Sequence, residues 1–182
     1  MPESAAKPPQ IKHDEEEMMK AIVAEHETAL LRYAMRLLNN SVDAQDIVQE
    51  AFLKLFKNWR AGLRPTGKLS AWLYRVTHNL AVDYIRRESR LNLLHNRHAE
   101  EQSDPPTDIG SSRKESESYQ LVLEEIGKLS LAERQVAVLR FQEGLSYREI
   151  STITGRTEGN VGCILHNVVK QLATKFKQTG II

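Results

Sequence analysis

The chain has 182 residues, of which 41% are apolar, and a formal net charge of +1, which suits one domain or two small ones with a buried core. No stretch approaches the ~20 apolar residues of a membrane span, and the start Met1-Pro2-Glu3-Ser4 soon turns acidic, unlike a secretory signal. A single cysteine, Cys163, excludes an intramolecular disulfide and a zinc-thiolate cluster, which places the protein in a reducing compartment, the cytoplasm.

The charge is segregated. Residues 1–17 sum to −3, residues 18–94 to +5, residues 95–118 to −3 and residues 119–182 to +2. Two basic blocks separated by an acidic segment are expected if both blocks approach a polyanion and the segment between them does not. Residues 1–17 are expected to form a disordered N-terminal segment.

In residues 18–94, Ile22, Val23, His26, Leu30, Ala34, Leu37 and Leu38 recur at helical steps and predict a first helix ending at Asn39-Asn40. A second helix starts near Ser41 or Asp43, either of which can cap it, with a core stripe of Val48, Phe52, Leu55 and Trp59. Gly62, Pro65 and Gly67 mark a short loop. The third helix, about Ser70 to Arg90, buries Trp72, Leu73, Val76, Leu80 and Tyr84. Three amphipathic helices with short connections close into a bundle. Residues 95–118, with Asp104-Pro105-Pro106 and Gly110-Ser111-Ser112, read as a flexible acidic linker. The second block, residues 119–178, opens with an amphipathic stretch, Tyr119 to Leu129. It continues through two capping boxes, Ser130-x-x-Glu133 and Ser146-x-x-Glu149, and stops helices at Gly144 and Gly155. A last helix starts at Thr157 and buries Val161, Leu165, Val168 and Leu172. The fold class is all-α, two small helical domains joined by a linker.

Ser146 to Gln171 has the proportions of a helix-turn-helix, with Ile150, Ile153, Val161 and Leu165 setting the angle between helices and the second helix free to enter a major groove. Arg148 and Arg156 stand near the start of that helix, within reach of backbone phosphates. In the first block, Arg75, Asn79, Asp83, Arg86 and Arg90 follow at steps of four, four, three and four, a polar stripe along a helix of ~32 Å. Arg87, His78 and Tyr74 lie beside it. Arginines for phosphates with amide and aromatic groups for bases suit a single strand.

These residues resemble the extracytoplasmic-function (ECF) sigma factors of bacterial RNA polymerase, and the resemblance covers nearly the whole folded chain. Asp43 to Lys54 (DAQDIVQEAFLK) looks like the family's core-binding helix, and Ala71 to Arg87 (AWLYRVTHNLAVDYIRR) is similar to its promoter-melting helix. Leu129 to Arg134 and Gly144 to Ile150 resemble the opening of its C-terminal domain. The resemblance implies sigma region 2 over residues 18–94 and the region 4 helix-turn-helix over 119–178. It implies that Asp46, Gln49, Glu50 and Leu53 dock on core RNA polymerase. Leu63, in the Gly62–Lys68 loop, and Asn79 would capture a base flipped out of the -10 element, with Trp72, Arg75, Arg86, Arg87 and Arg90 holding the melted strand. The last helix would read the -35 element as duplex. One departure stands out: Gly162, Ile164 and Asn167 occupy positions where the family usually has basic residues. This leaves Asn160, Cys163, His166, Asn167 and Lys170, with Arg148 and Arg156, as the candidate -35 contacts. An anti-sigma factor is a further candidate partner.

Other chemistry finds little support. His95 and His98 lack a third ligand, and the carboxylate row Asp43, Asp46 and Glu50 has no matching element for acid–base catalysis. No Walker, HExxH or GxSxG motif occurs, so no catalytic residues, metal or cofactor are assigned and the protein is expected not to be an enzyme. The alternatives are a stand-alone helix-turn-helix regulator, which would bind intact duplex tightly without polymerase, and a helical adaptor, which would support no promoter-dependent transcription.

Overall fold

A computed structural model of the protein describes residues 10–63, 65, 67–95 and 117–178. Among these residues every regular element is helical, as the hydrophobic periodicity requires. Helix α1 (Gln10–Leu38) starts well ahead of residue 18. Residues 10–17 contain no Gly or Pro and include three consecutive glutamates, so nothing opposes extension of the packed helix backwards. Lys20 pairs with Glu17 at 2.9 Å across this part. The expected disorder of residues 1–17 therefore does not hold for 10–17, and residues 1–9 lie outside the described residues.

Asn39, at φ 56°, ends α1 in the left-handed conformation that asparagine tolerates. Helix α2 (Ser41–Arg60) is capped by Asn40 rather than by Ser41 or Asp43, its side chain accepting from the N–H groups of Val42 at 2.9 Å and Asp43 at 3.3 Å. Helix α3 runs over Leu69–His95. The second module comprises α4 (Glu117–Gly127), α5 (Leu131–Ala137), α6 (Tyr147–Thr154) and α7 (Glu158–Gln178). Both capping boxes form, Ser130 with Glu133 and Ser146 with Glu149. Of the linker, residues 96–116 lie outside the described residues, and so does His98.

One element has no sequence signal. A π-helical turn, Val138–Gln142, continues α5 without a break. Leu145 N–H then donates to Leu139 O at 3.0 Å and Arg140 Nη1 to Leu145 O at 3.0 Å, which closes the wide turn before α6 begins.

Leu30, Leu37, Val48, Phe52, Leu55 and Leu73 form the interior of α1–α3, and Val136, Leu139, Ile150, Ile153, Val161 and Val168 that of α5–α7. The two interiors are continuous. Helix α3 packs against α6 as well as against α1 and α2, and α1 touches α5, so the modules lie against one another, an arrangement that periodicity leaves open. Leu55 is fully buried whereas Leu53, on the opposite side of α2, is 53% exposed. Leu55→Ala should cost about 2–5 kcal/mol of stability in urea titrations, and Leu53→Ala less than about 0.5 kcal/mol; comparable losses would contradict the assignment of Leu53 to an outward face.

Candidate nucleic-acid interface

Helix α3 presents three faces, because residues one apart on a helix point about 100° apart. Leu73 is buried towards α1 and α2, with Trp72, Val76, Leu80 and Tyr84 half-buried. Tyr84 is tied to α2 by a hydrogen bond with Asp43, which, more than burial, pushes its phenol up to about 12. The stripe Arg75, Asn79, Asp83, Arg86 and Arg90 is exposed along its whole length, and Arg87 is exposed beside it. Asp83 pairs with Arg86 at 3.9 Å, and the Arg87 guanidinium lies 5.6 Å from the centre of the Tyr84 ring. These contacts hold two of the four basic side chains of this surface in place while leaving them accessible.

The third face corrects the sequence reading. Tyr74 and His78, expected beside the stripe, are buried, and with Thr77 and Ala81 they form a second packed face at i, i+3, i+4 and i+7. Tyr33 of α1 is completely buried against it. Its hydroxyl lies 2.7 Å from His78 Nδ1, and its ring meets that of Tyr74 edge-on at 5.7 Å. The Tyr74 hydroxyl donates to Glu143, whose carboxylate also lies 3.8 Å from Arg32 Nη2. Burial holds the Tyr74 and Tyr33 phenols above the usual range, and it raises the Glu143 carboxyl against the opposing pull of Tyr74 and Arg32. Burial, then Arg156 and Arg86, lowers His78 to about 4. Sequence patterning missed this face because a tyrosine, a threonine and a histidine do not register as a hydrophobic stripe.

Leu63 stands where the loop reading placed it. Gly62, at φ 73°, turns the chain, Leu63 N–H donates to Asn58 O at 2.9 Å, and the Leu63 side chain remains 62% exposed. Arg64 and Thr66 of the same loop lie outside the described residues. Trp72 is half-buried in a groove of about 520 Å³ that also contains Lys68, Arg75, Arg148 and Glu149. On α2, Asp46, Gln49, Glu50 and Leu53 are all exposed at steps of three, one and three, hence on one face, with Glu50 paired to Lys54 at 3.4 Å.

The helix-turn-helix is built by local chemistry. The Ser146–Glu149 box opens α6, and hydrogen bonds from the Ser146 backbone and hydroxyl, then from Lys68, hold the Glu149 carboxyl at about 2. Gly155, at φ 70°, ends α6 with its N–H on Ser151 O at 2.9 Å. Thr157 Oγ1 accepts from Asn160 N–H at 3.2 Å and starts α7. Val161, Leu165 and Val168 face inwards, whereas Asn160, Cys163, His166, Asn167 and Lys170 are exposed. Arg148 is exposed, and the half-buried Arg156 reaches Asn160 Oδ1 at 3.5 Å. Among the described residues no three His, Cys, Asp or Glu side chains converge as metal ligands, and no helix is long and apolar enough to cross a membrane.

An exposed arginine–amide stripe in one module and a helix-turn-helix in the other define a two-module DNA-binding protein. Residues 22–91 match the family model for Sigma-70 region 2, and residues 119–172 match that for Sigma-70, region 4. The ECF RNA polymerase sigma factor SigL of Mycobacterium tuberculosis is 26% identical over 164 residues, spanning 90% of this chain and 92% of its own. RNA polymerase sigma factor SigV of Bacillus subtilis is 24% identical over 165 residues, 90% of this chain and 94% of its own. The same fold occurs in the sigma factor RpoE of Bartonella quintana, solved in complex with the anti-sigma factor NepR, with a TM-score of 0.72, 21% identity, and coverage of 87% of this chain and 96% of that one. The chain belongs to the sigma-70 family, in its extracytoplasmic-function group.

The packed His78 yields a pH dependence with a definite sign. Its imidazole is neutral down to about 4 in the packed state and ionises near 6.5 when released, so its contribution is complete above that value and is lost as pH falls towards 4. The raised Glu143 carboxyl acts in the opposite sense, but only near and above its ordinary value of 4.5. Stability in urea should therefore fall from pH 7 to pH 5, by an amount on the order of 1–2 kcal/mol, and the native His78 ring should titrate near 4 by NMR. A native midpoint near 6.5 would show that the ring is not packed.

Proposed function

We propose that the protein binds core RNA polymerase through the α2 face and directs it to promoters by melting the -10 element with region 2 and reading the -35 element with region 4. Asp46, Gln49, Glu50 and Leu53 present three acceptors and an apolar tip on one side of α2, a surface suited to a basic partner helix. Leu63 and Asn79 take the flipped base. Trp72, Arg75, Arg86, Arg87 and Arg90 hold the separated strand, whose binding offsets the few kcal/mol of unstacking. Arg148 and Arg156 hold duplex phosphates while Asn160, Cys163, His166, Asn167 and Lys170 line the major groove. The protein performs no covalent chemistry and acts in the cytoplasm, where polymerase is. An anti-sigma factor is the natural negative regulator, as the RpoE–NepR complex illustrates for a structural relative.

One observation carries this reading: a single-strand surface and a duplex surface lie on one chain, inside the segments matched by region 2 and region 4. A stand-alone regulator has use for the second surface only.

Run-off transcription with core polymerase on a library of promoter fragments should give transcripts that depend on the added chain. Leu63→Ala and Asn79→Ala should lower open-complex formation roughly tenfold, the size of one lost base contact, with core binding unchanged. Parallel losses in both assays would remove these two residues from strand capture.

The recognition helix supplies a second test. A Cβ at Gly162 would meet Tyr147 Cε2 at 3.6 Å, an ordinary contact, so packing does not forbid a side chain there. Gly162→Lys should tighten binding to -35 duplex and steepen the slope of log K against log salt by about 0.9, one added phosphate contact. An unchanged slope would mean that α7 does not lie in the groove as described.

A further inference from the structure

Between Glu158 and Val169, α7 contains no Lys or Arg, and its exposed nitrogen-bearing side chains in that stretch are Asn160, His166 and Asn167. In a major groove, guanine is read by an Arg or Lys on its O6 and N7, and adenine by an Asn or Gln amide that accepts from N6 and donates to N7. The groups that read guanine are missing from this stretch, and two that read adenine are present. An imidazole N–H can reach N7, but both purines carry N7, so His166 does not separate them.

We infer that α7 is an adenine reader, with Asn160 and Asn167 each paired to the N6–N7 edge of an adenine, at two base pairs three steps apart. The inference deepens the reading of α7 as the helix that enters the groove, and it rests on that reading.

The spacing matches the duplex. A separation of seven residues leaves the two amides only about 20° apart around the helix and ~10.5 Å apart along it, the length of about three base steps at ~3.4 Å each. Both point away from the buried Val161, Leu165 and Val168. Asn160 is also held in place. Its backbone N–H donates to Thr157 Oγ1 at 3.2 Å, and Arg156 Nη1 donates to its Oδ1 at 3.5 Å, which restricts rotation of the amide. An amide oxygen has two lone pairs and its nitrogen two hydrogens, so one Oδ1 lone pair and Nδ2 remain for a base. An asparagine is short, and its contact with a base edge requires the helix backbone to come close to the groove floor. Gly159 is exposed beside Asn160, and a Cβ there would meet nothing within 4 Å. Packing inside the chain therefore does not require this glycine, whereas a close approach of backbone to DNA makes use of it.

The test selects bound duplexes from a library randomised over the -35 element, using the full chain alone and with core polymerase. Two A·T pairs three steps apart should be enriched. In a selected duplex, 7-deazaadenine at either position removes N7 and keeps the base pair, and it should weaken binding roughly threefold to tenfold, about half of a bidentate contact. Asn160→Ala should make the chain indifferent to that change at one of the two positions only, and Asn167→Ala at the other. Asn160→Arg should move the selected base at its position from adenine to guanine. Both asparagines are exposed, so helix content should not change in any of these variants. Guanine enriched by the unmodified chain at either position, or a 7-deazaadenine loss that persists undiminished in both alanine variants, would overturn the inference. No enrichment, with a salt slope still steepened by Gly162→Lys, would overturn it and leave α7 in the groove; no enrichment and an unchanged slope would overturn the groove reading as well. Enrichment of the two A·T pairs by a chain that directs no run-off transcription would instead overturn the sigma-factor reading and leave the adenine contacts standing.

Discussion

Everything in this molecule depends on how much of α3 is covered. A helix has room for about three faces. Leu73 and its half-buried neighbours give one to the bundle, Tyr74, Thr77, His78 and Ala81 give a second to Tyr33 of α1 and to Glu143 of the other module, and the arginine–asparagine stripe is what is left over. The surface proposed to bind the strand is therefore a remainder, narrower than the helix could offer. Tyr74 and His78 stand one position before Arg75 and Asn79 respectively, and both rings are packed against Tyr33 of α1. Aromatic rings beside arginines suit a single strand, and here both rings are buried in the interior.

The chemistry of the covered face limits how much its burial contributes. An interface of leucines would gain from burial in proportion to its area and would stay shut. The contact between modules instead includes a phenol–carboxylate pair and an arginine at the rim, beside a phenol–imidazole pair that joins α1 to α3 within the first module. Each loses hydration on closing and recovers it on opening, so the net gain is small relative to the number of groups involved. The π-helical turn matters for this reason. One extra residue in the turn alters the direction in which Glu143 leaves α5, and an uninterrupted α-helix would aim the carboxylate elsewhere.

What could be read from the sequence was what local chemistry decides. The two capping boxes, the glycine stop at Gly155 and the inward face of α7 each depend on residues within one or two turns, and each is present. Sequence alone does not single out Asn40 as the cap of α2, because Asn40, Ser41 and Asp43 all carry suitable oxygens and only backbone geometry selects among them. The buried face of α3 was unreadable for a different reason. Its neighbours are Tyr33 and Glu143, far away in the chain, and nothing in a window around Tyr74 announces them. The exposed candidates at Leu63, on the α2 face and along α7 came from family resemblance joined to periodicity. The structure shows them accessible, as their proposed roles require.

The recognition helix poses the remaining physical question. From Asn160 to Lys170 its outward face carries Asn160, Cys163, His166, Asn167 and one fixed cation, Lys170, with Lys175 and Lys177 exposed only in its last turn, while the arginines gather at the entrance, Arg148 on α6 and Arg156 in the turn. Arg156 is partly spent on Asn160 and on the flank of His78, which leaves Arg148 as the freer of the two. Arg140, one turn earlier, lies 5.5 Å from the centre of the Tyr147 ring and braces the Leu145 carbonyl, so its charge also sits at this entrance. Phosphate attraction is thus concentrated at one end of the motif, while the groove-facing length relies on neutral donors and acceptors. Neutral contacts read bases but supply little long-range steering. A helix of this composition needs to be carried to its site by something else, and a polymerase anchored as proposed, through α2 and the melted strand, would be such a carrier. That is why weak charge on α7 is consistent with an initiation factor and would be a handicap for a regulator working alone.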